Sequence, residues 1–244
     1  DRVGVYTDPV YDAARTAREL AAMGVKGFRM QVFEDLELET ERVTTFDDPA
    51  SAADQRFSSL AFVLLERTQS PPLLRTLGLD DACLDHDRGM ITKREVRAVG
   101  LSLLGIRSRD TVWDLGAGSG AVAVEASILA REGRVYAVER SEERVARIRR
   151  NVQKTGAYVV EPVHGDMPVC LEGLPDPDRV FVGGGAGEPG VLETVLARLR
   201  PAGRIVAHVV LLGSLDRSRR LLDQAGWRPT VTQVQVHRSN PLAR

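Results

Sequence analysis

Cysteine is scarce in this 244-residue chain: Cys83 and Cys170 are the only two, far apart and in no CxxC pair. That argues against a disulfide scaffold, a zinc site and a redox dithiol, and predicts a reducing compartment, hence a cytoplasmic protein. Four histidines (His86, His164, His208 and His237) form no ligand pair at helical spacing, so no metal is expected. No apolar run approaches the roughly 18 residues that span a bilayer. The longest, Ile205 to Leu212, is interrupted by His208, so no membrane partner is expected. The opening DRVGVYTDP has no basic stretch followed by an apolar one, which predicts no secretory signal. It also lacks an initiator Met and begins at the edge of an apparent strand, as a fragment of a longer chain would. Lysine is rare, 3 against 30 arginines, a bias that genome composition accounts for.

What is present is ordinary globular composition, 43% hydrophobic and 27% charged, which excludes disorder, collagen and coiled coil as the main state. The length allows one large domain or two small ones and a full core without disulfides. The net charge of −1 hides an asymmetry. Residues 1–90 hold 10 Lys/Arg and 17 Asp/Glu, a balance of −7, and residues 91–244 hold 23 and 17, a balance of +6. Two units are implied, the second able to attract an anionic partner; taken alone, the asymmetry reads more plainly as arginines on outer helix faces.

Three segments follow. Residues 1–67 read as a small β-α-β unit: a strand at 3–7, a helix capped by Thr7 or Asp8 with Pro9 in its first turn, and strands at 28–36 and 58–66. Ala14, Ala17, Leu20 and Ala21 give the helix its apolar face, and Gly24 ends it. Residues 68–90, with Pro71, Pro72 and an acidic stretch, read as a linker whose spacing matches no calcium loop. Residues 91–244 alternate strands and helices. TKRE (92–95) is a capping box opening a helix to about Leu104. Strands are predicted at 111–115, 134–139, 158–164, 179–184 and 203–212, with an edge strand at 230–236. Helices are predicted at 119–130, 141–154, 188–199 and 214–225. This is an α/β class domain, a Rossmann-like parallel sheet covered on both faces, preceded by a small α/β lobe.

The central motif is WDLGAGSG, Trp113 to Gly120, between a buried strand and a helix, where such a sheet presents its ligand crevice. A glycine loop alone is a weak signal, and with Ala121 it also satisfies a dinucleotide fingerprint. The surrounding acids decide. Asp114 at a strand end accepts from an ammonium or a loop amide and repels a pyrophosphate. Glu139 ends the next strand and can accept both ribose hydroxyls, and Asp166 ends the third, with Met167 beside it for an adenine ring. Three acids at three strand ends favour a cationic, ribose-bearing, phosphate-free cofactor, which describes S-adenosyl-L-methionine. Taken singly, Glu139 and Asp166 read equally well as turn or cap residues.

WDLGAGSG, VYAVER and HGD resemble the S-adenosylmethionine-dependent methyltransferases with a Rossmann-like sheet. HDRGMITKREVRAVGLSLL (86–104), the Glu139–Arg140 pair, EGLPDPDRVFVGGGAG (172–187) and LRPAGRIVAHVVLL (199–212) resemble, more narrowly, the decarboxylating domain of the precorrin-6Y C(5,15)-methyltransferase family of cobalamin biosynthesis. That likeness runs from about Gly78 to Arg244. Residues 3–25 resemble the second lobe of the tetrapyrrole methylase domain that precedes it in the fused enzyme. Its first lobe is not in the chain, so residues 1–67 are expected to be inert as a methylase, and carbon 5 to stay unmethylated. The sheet's last antiparallel strand would lie beyond Arg244.

The resemblance implies that Thr92, Gly116, Ala117, Gly118, Ser119, Gly120, Glu139, Asp166 and Met167 contact the cofactor. It implies that Gly183, Gly184 and Gly185, which read equally well as a flexible loop, leave room for a flat macrocycle, with His208 a candidate for proton handling. His208 lies mid-strand in an apolar run, where a core histidine is the plainer reading. Thr92 also reads as a helix N-cap. The implied reactions are methylation of carbon 15 of a precorrin tetrapyrrole and loss of carbon dioxide from the ring C acetate. The macrocycle supplies the nucleophilic carbon and the electron sink, so no catalytic dyad is expected. Its carboxylates suit the +6 balance. By analogy with the family, whose related domains assemble as tetramers, a homo-oligomer is expected. The rivals are an RNA methyltransferase, a dinucleotide-dependent oxidoreductase and an inert scaffold. RVARIRR (144–150) invites the RNA reading, but the Val145, Ile148 and Val152 stripe puts those arginines on the outer face of one helix, so no nucleic-acid partner is expected.

Overall fold

A computed structural model describes residues 2–87 and 89–239. The chain divides into two compact units: residues 1–74 with Gln153–Tyr158, and residues 75–152 with 159–244.

In the first unit, β1 (Arg2–Tyr6), α1 (Ala13–Ala22), β2 (Phe28–Glu34), β3 (Arg42–Phe46) and β4 (Ala61–Arg67) follow in order. The sheet runs β1-β4-β2-β3 and every neighbouring pair is antiparallel. The expected β-α-β unit is therefore split: β1 and β2 run the same way, with β4 between them. Side chains alternate across β2, so Met30 and Val32 meet Ala13 and Ala17 of α1 and Val63 and Leu65 of β4 in one small core. The helix starts later than the sequence implied. Asp12 caps it, accepting from the Arg15 N–H at 2.6 Å. Asp8 instead closes a turn, accepting from the Val10 and Tyr11 N–H groups at 2.7 Å each, and Pro9 sits inside that turn. Strand β3 was not anticipated. Its only regular support is the ladder to β2, and its side chains are mostly exposed.

The second unit holds α2 (Arg94–Leu104), β5 (Thr111–Leu115), α3 (Ala121–Leu129), β6 (Arg134–Glu139), α4 (Glu142–Thr155), β7 (Val160–His164), β8 (Arg179–Val182), α5 (Val191–Arg198), β9 (Arg204–Ala207) and α6 (Leu212–Gln224). Its five strands form a parallel sheet in the order β7-β6-β5-β8-β9. The expected α/β class and parallel Rossmann-like sheet are present. Strands β5 and β8 lie at the centre and are buried on both faces, which is why TVWDL and RVFV read as continuous rather than alternating runs. Trp113, Leu115, Val138, Val180 and Val182 pack against Val191, Leu192 and Val195 of α5. Helix α3 is buried without a break from Ala121 to Ser127.

Four local expectations fail, each for a physical reason. The Thr92–Glu95 capping box does not form: Lys93 is the N-cap, without a side-chain bond. Glu95 is held instead by a two-pronged pair with Arg238, at 3.0 and 2.6 Å, which drives its carboxyl down to about 2. Strand β9 stops at Ala207 because its partner β8 stops at Val182, leaving no ladder beyond the His208 N–H to Val182 carbonyl bond at 2.9 Å. His208 is thus a half-buried residue just past a strand end, not a core histidine. Residues 230–236 make no strand: Val231, Val234 and Val236 are exposed, and alternation without a partner backbone does not make a sheet. Among the described residues no helix is long and apolar enough to cross a membrane.

Candidate functional site

The carboxyl ends of β5, β6 and β8 meet through their backbones. The Gly116 and Ala117 N–H groups both donate to the Val138 carbonyl at 3.0 Å, and the Gly183 and Gly184 N–H groups donate to the Leu115 carbonyl at 2.8 and 3.2 Å. This interlock demands glycine at 116. Its φ is +68°, and a Cβ there would lie 2.7–2.9 Å from the Gly184 backbone. Gly118 is the opposite case. At φ +58° nothing lies within 4 Å of where its Cβ would be, so the loop faces open space.

That space is a cavity of about 160 Å³ lined on one side by Gly116 to Ser119 and Gly183, and on the other by Met90, Ile91 and Thr92. The expected Thr92, Gly116, Ala117, Gly118, Ser119 and Gly183 all line it; Gly120, Glu139, Asp166, Met167, Gly184, Gly185 and His208 do not. Glu139 is nevertheless bonded to the loop. It is 5% exposed, and one carboxylate oxygen accepts from the Gly118 N–H at 2.9 Å while the other accepts from the Ser141 N–H at 3.1 Å. Two amides fix its rotamer, and each oxygen keeps a further lone pair. Gly120 packs on Ile148, away from the cavity. Asp166 is exposed after β7, with its carbonyl accepting from the Cys170 N–H at 3.0 Å. Met167 lies against Gly185 beyond β8.

Asp114 points under the loop rather than into the cavity. It is 1% exposed and accepts from the Ala123 N–H at 3.0 Å, which satisfies an amide in the first turn of α3. Burial, with a smaller push from the charge of Glu139, raises its carboxyl to about 7 against the pull of the Ala123 amide. The sequence suggested a ligand ammonium or a loop amide as its partner; the partner is a helix amide instead.

Thr92 was the one expected residue of the segment Met90 to Thr92; what the sequence reading missed is how that segment is held. Among the described residues of 75–93 regular structure is limited to a short 3₁₀ turn at Asp81–Cys83 and an isolated bridge between Asp87 and Met90, so buried polar side chains hold the segment in place. Arg97, fully buried, donates to Glu125 at 2.8 Å, to Asp81 at 2.7 Å and to the Leu79 and Thr92 carbonyls. Glu125 also accepts from the Gly78 N–H at 2.9 Å. Asn151, fully buried on α4, accepts from the Asp85 N–H at 2.8 Å and donates at 2.9 Å to both the Asp85 and the Ser119 carbonyls. It therefore joins this strap to the glycine loop, one cavity wall to the other. A signal was available: Arg97 lies on the face of Leu101 and Leu104, and Asn151 on that of Ile148 and Val152. A polar residue on an apolar stripe has a hydrogen-bonding duty. The acidic stretch is thus not a solvated linker, since Asp80, Asp81 and Asp85 pair with Arg94, Arg97 and Arg150.

The sequence matches the model of a family described as the precorrin methyltransferase domain over residues 82–244. The chain belongs to that family. It is 39% identical over 166 residues to a Sinorhizobium precorrin-6Y C(5,15)-methyltransferase [decarboxylating], a match covering 68% of this chain and 39% of that protein. It is 40% identical over 173 residues to a probable cobalt-precorrin-6B C(15)-methyltransferase (decarboxylating) from Pyrobaculum calidifontis, covering 69% of this chain and 88% of that one. A crystal structure of precorrin-6Y C5,15-methyltransferase from Geobacter metallireducens superposes with a TM-score of 0.60 at 40% identity, over 62% of this chain and 80% of the other. The chain thus spans about two fifths of the Sinorhizobium relative and most of the Pyrobaculum one. As a precorrin methyltransferase domain, its second unit carries the whole cavity just described.

Proposed function

We propose that the second unit binds S-adenosyl-L-methionine and methylates carbon 15 of a precorrin macrocycle, with decarboxylation of the ring C acetate. The observation that carries this reading is the Gly118–Glu139 bond, which sets a buried carboxylate beside a glycine cradle with no Cβ neighbour. The residues fit the cofactor. Gly118 leaves space for a nucleoside, and Glu139 has lone pairs left for two ribose hydroxyls. The cavity admits part of such a molecule, and the rest extends along the rim toward Asp166 and Met167, as the resemblance implies. When bound, the cofactor supplies an electrophilic methyl group on a sulfonium. Thr92 and the strap cover the loop and exclude water. By the resemblance the acceptor lies beside Gly183, Gly184 and Gly185, which pack on Gly116 and Met167, and the protein's task is alignment rather than base catalysis. The names of the Sinorhizobium and Pyrobaculum relatives support both the carbon and the decarboxylation.

The RNA reading loses much of its surface. Arg147 is buried and pairs with Glu143, Arg150 pairs with Asp85, and Arg149 stays exposed. Glu139→Ala removes two hydroxyl acceptors, and by the usual worth of charge-assisted bonds should weaken S-adenosylhomocysteine binding by on the order of 100-fold in calorimetry. Mass spectrometry of precorrin-6B incubated with the chain and cofactor should find one methyl gained and one carbon dioxide lost. A product with neither change refutes the reading.

A further inference from the structure

We propose that Arg140 and Arg217 bind carboxylate arms of the acceptor on either side of the glycine loop after β8, and that Val210, Leu211 and Leu212 receive its flat apolar face. This rests on the precorrin reading above and assigns residues to the acceptor half of the site.

The first observation is an apolar lip whose side chains are left in water. Val210, Leu211 and Leu212, 81%, 69% and 84% exposed, lie three residues past β9 and lead into α6, whose N-cap is Leu211. They stand at the carboxyl edge of the sheet, where Gly183 to Gly185 follow the neighbouring strand. Three consecutive large apolar side chains in water mark a contact surface.

The second observation is which cations are uncommitted. Around this edge Arg147 and Arg150 hold Asp85, at 3.6 and 2.7 Å, and Arg144 stands 3.9 Å from Glu139. Arg217 has no salt bridge or side-chain hydrogen bond among the described residues, and its guanidinium lies over Gly187: a Cβ there would be 3.3 Å from its Nη2. Its neighbour Ser218 fixes that turn of α6 to the same loop, donating to the Ala186 carbonyl at 3.3 Å. Arg140, 71% exposed, is only 3.8 Å from Glu188, beyond a good hydrogen bond, and Glu188 in turn borders Gly185. Two guanidinium groups thus flank one glycine loop beside one apolar lip. A flat macrocycle edged with acetate and propionate arms has the complementary chemistry, and planar guanidinium groups pair carboxylates two bonds at a time.

The test uses the whole chain and the precorrin macrocycle, whose own absorbance reports binding, with S-adenosylhomocysteine calorimetry alongside. Arg217→Ala and Arg140→Ala should each raise the macrocycle Kd about tenfold and together flatten its salt dependence, while the S-adenosylhomocysteine Kd stays within twofold. Leu211→Gln should raise the macrocycle Kd with no change in salt dependence. All three positions are exposed, so melting temperatures should match the parent and show that the variants fold. Unchanged macrocycle Kd and salt dependence in the arginine variants overturn the proposal, with the precorrin reading intact. So does a Leu211→Gln chain that only alters its sedimentation, which makes the lip a contact between copies. A parent chain that binds S-adenosylhomocysteine but no macrocycle overturns the precorrin reading and this assignment with it.

Discussion

Asp114→Asn isolates one buried titration. Asp114 is 1% exposed beneath the glycine loop, and burial with the nearby Glu139 charge lifts its carboxyl to about 7. The same group in the unfolded chain titrates near ~3.9. Between those values the native protein holds a proton that the unfolded chain releases. Stability from this site is therefore greatest below the unfolded value, falls as pH rises toward 7, and levels off above it. A gap of about three pH units, at about 1.4 kcal/mol each, bounds the loss near 4 kcal/mol. Asparagine keeps an acceptor for the Ala123 N–H and never ionises. The variant should match the parent near pH 4 and exceed it by a few kcal/mol at pH 8. Urea melts followed by tryptophan fluorescence would measure this, because both tryptophans, Trp113 and Trp227, belong to the second unit. A stability difference that stays flat from pH 4 to 8 refutes the reasoning, since Asp114 would then be ionised in the native state throughout.

Gly116→Ala combines a left-handed φ with a Cβ 2.7 Å from the Gly184 amide nitrogen, and should cost at least about 2 kcal/mol in thermal melts and lose S-adenosylhomocysteine binding. Arg97→Met strips Glu125 and Asp81 of their buried partner and should destabilise the second unit by about 3–5 kcal/mol; adding Glu125→Gln should recover part of that, and no recovery would mean that the charge is not the cause. Asn151→Leu should speed amide exchange at Asp85 and weaken S-adenosylhomocysteine about tenfold, with exchange in β5 unchanged.

The second unit was legible where burial dictates residue type over a whole element. TVWDL, RVYAVE and RVFV can stand continuous apolar runs because neighbours cover both faces, and glycines punctuate them where backbones must touch. Legibility failed where a partner, rather than the segment itself, decides the outcome. VTQVQV alternates as a strand should and has no backbone to pair with; VTTF looked unremarkable and becomes β3 because β2 offers an edge. GRIVAHVVLL was overextended for the same reason, since the ladder of β9 ends where β8, the neighbour it bonds, ends.

The candidate site repeats this contrast. Its glycine wall was readable because conformation demands glycine. Of the segment Met90 to Thr92 only Thr92 was read, because the segment's position is set by side chains on two helices: Arg97, which holds the Thr92 carbonyl from the next helix, and Asn151, which holds Asp85 from 66 residues away. Both are polar residues on helix faces that otherwise read as core. Each bonds backbone carbonyls that no regular structure would satisfy. The strap needs them because an irregular segment has no ladder of its own to bury. A cavity between a rigid sheet end and a strap held by side chains can be reshaped by single substitutions without disturbing the sheet. In this family fold, acceptor and cofactor geometry can therefore vary while the strands stay the same.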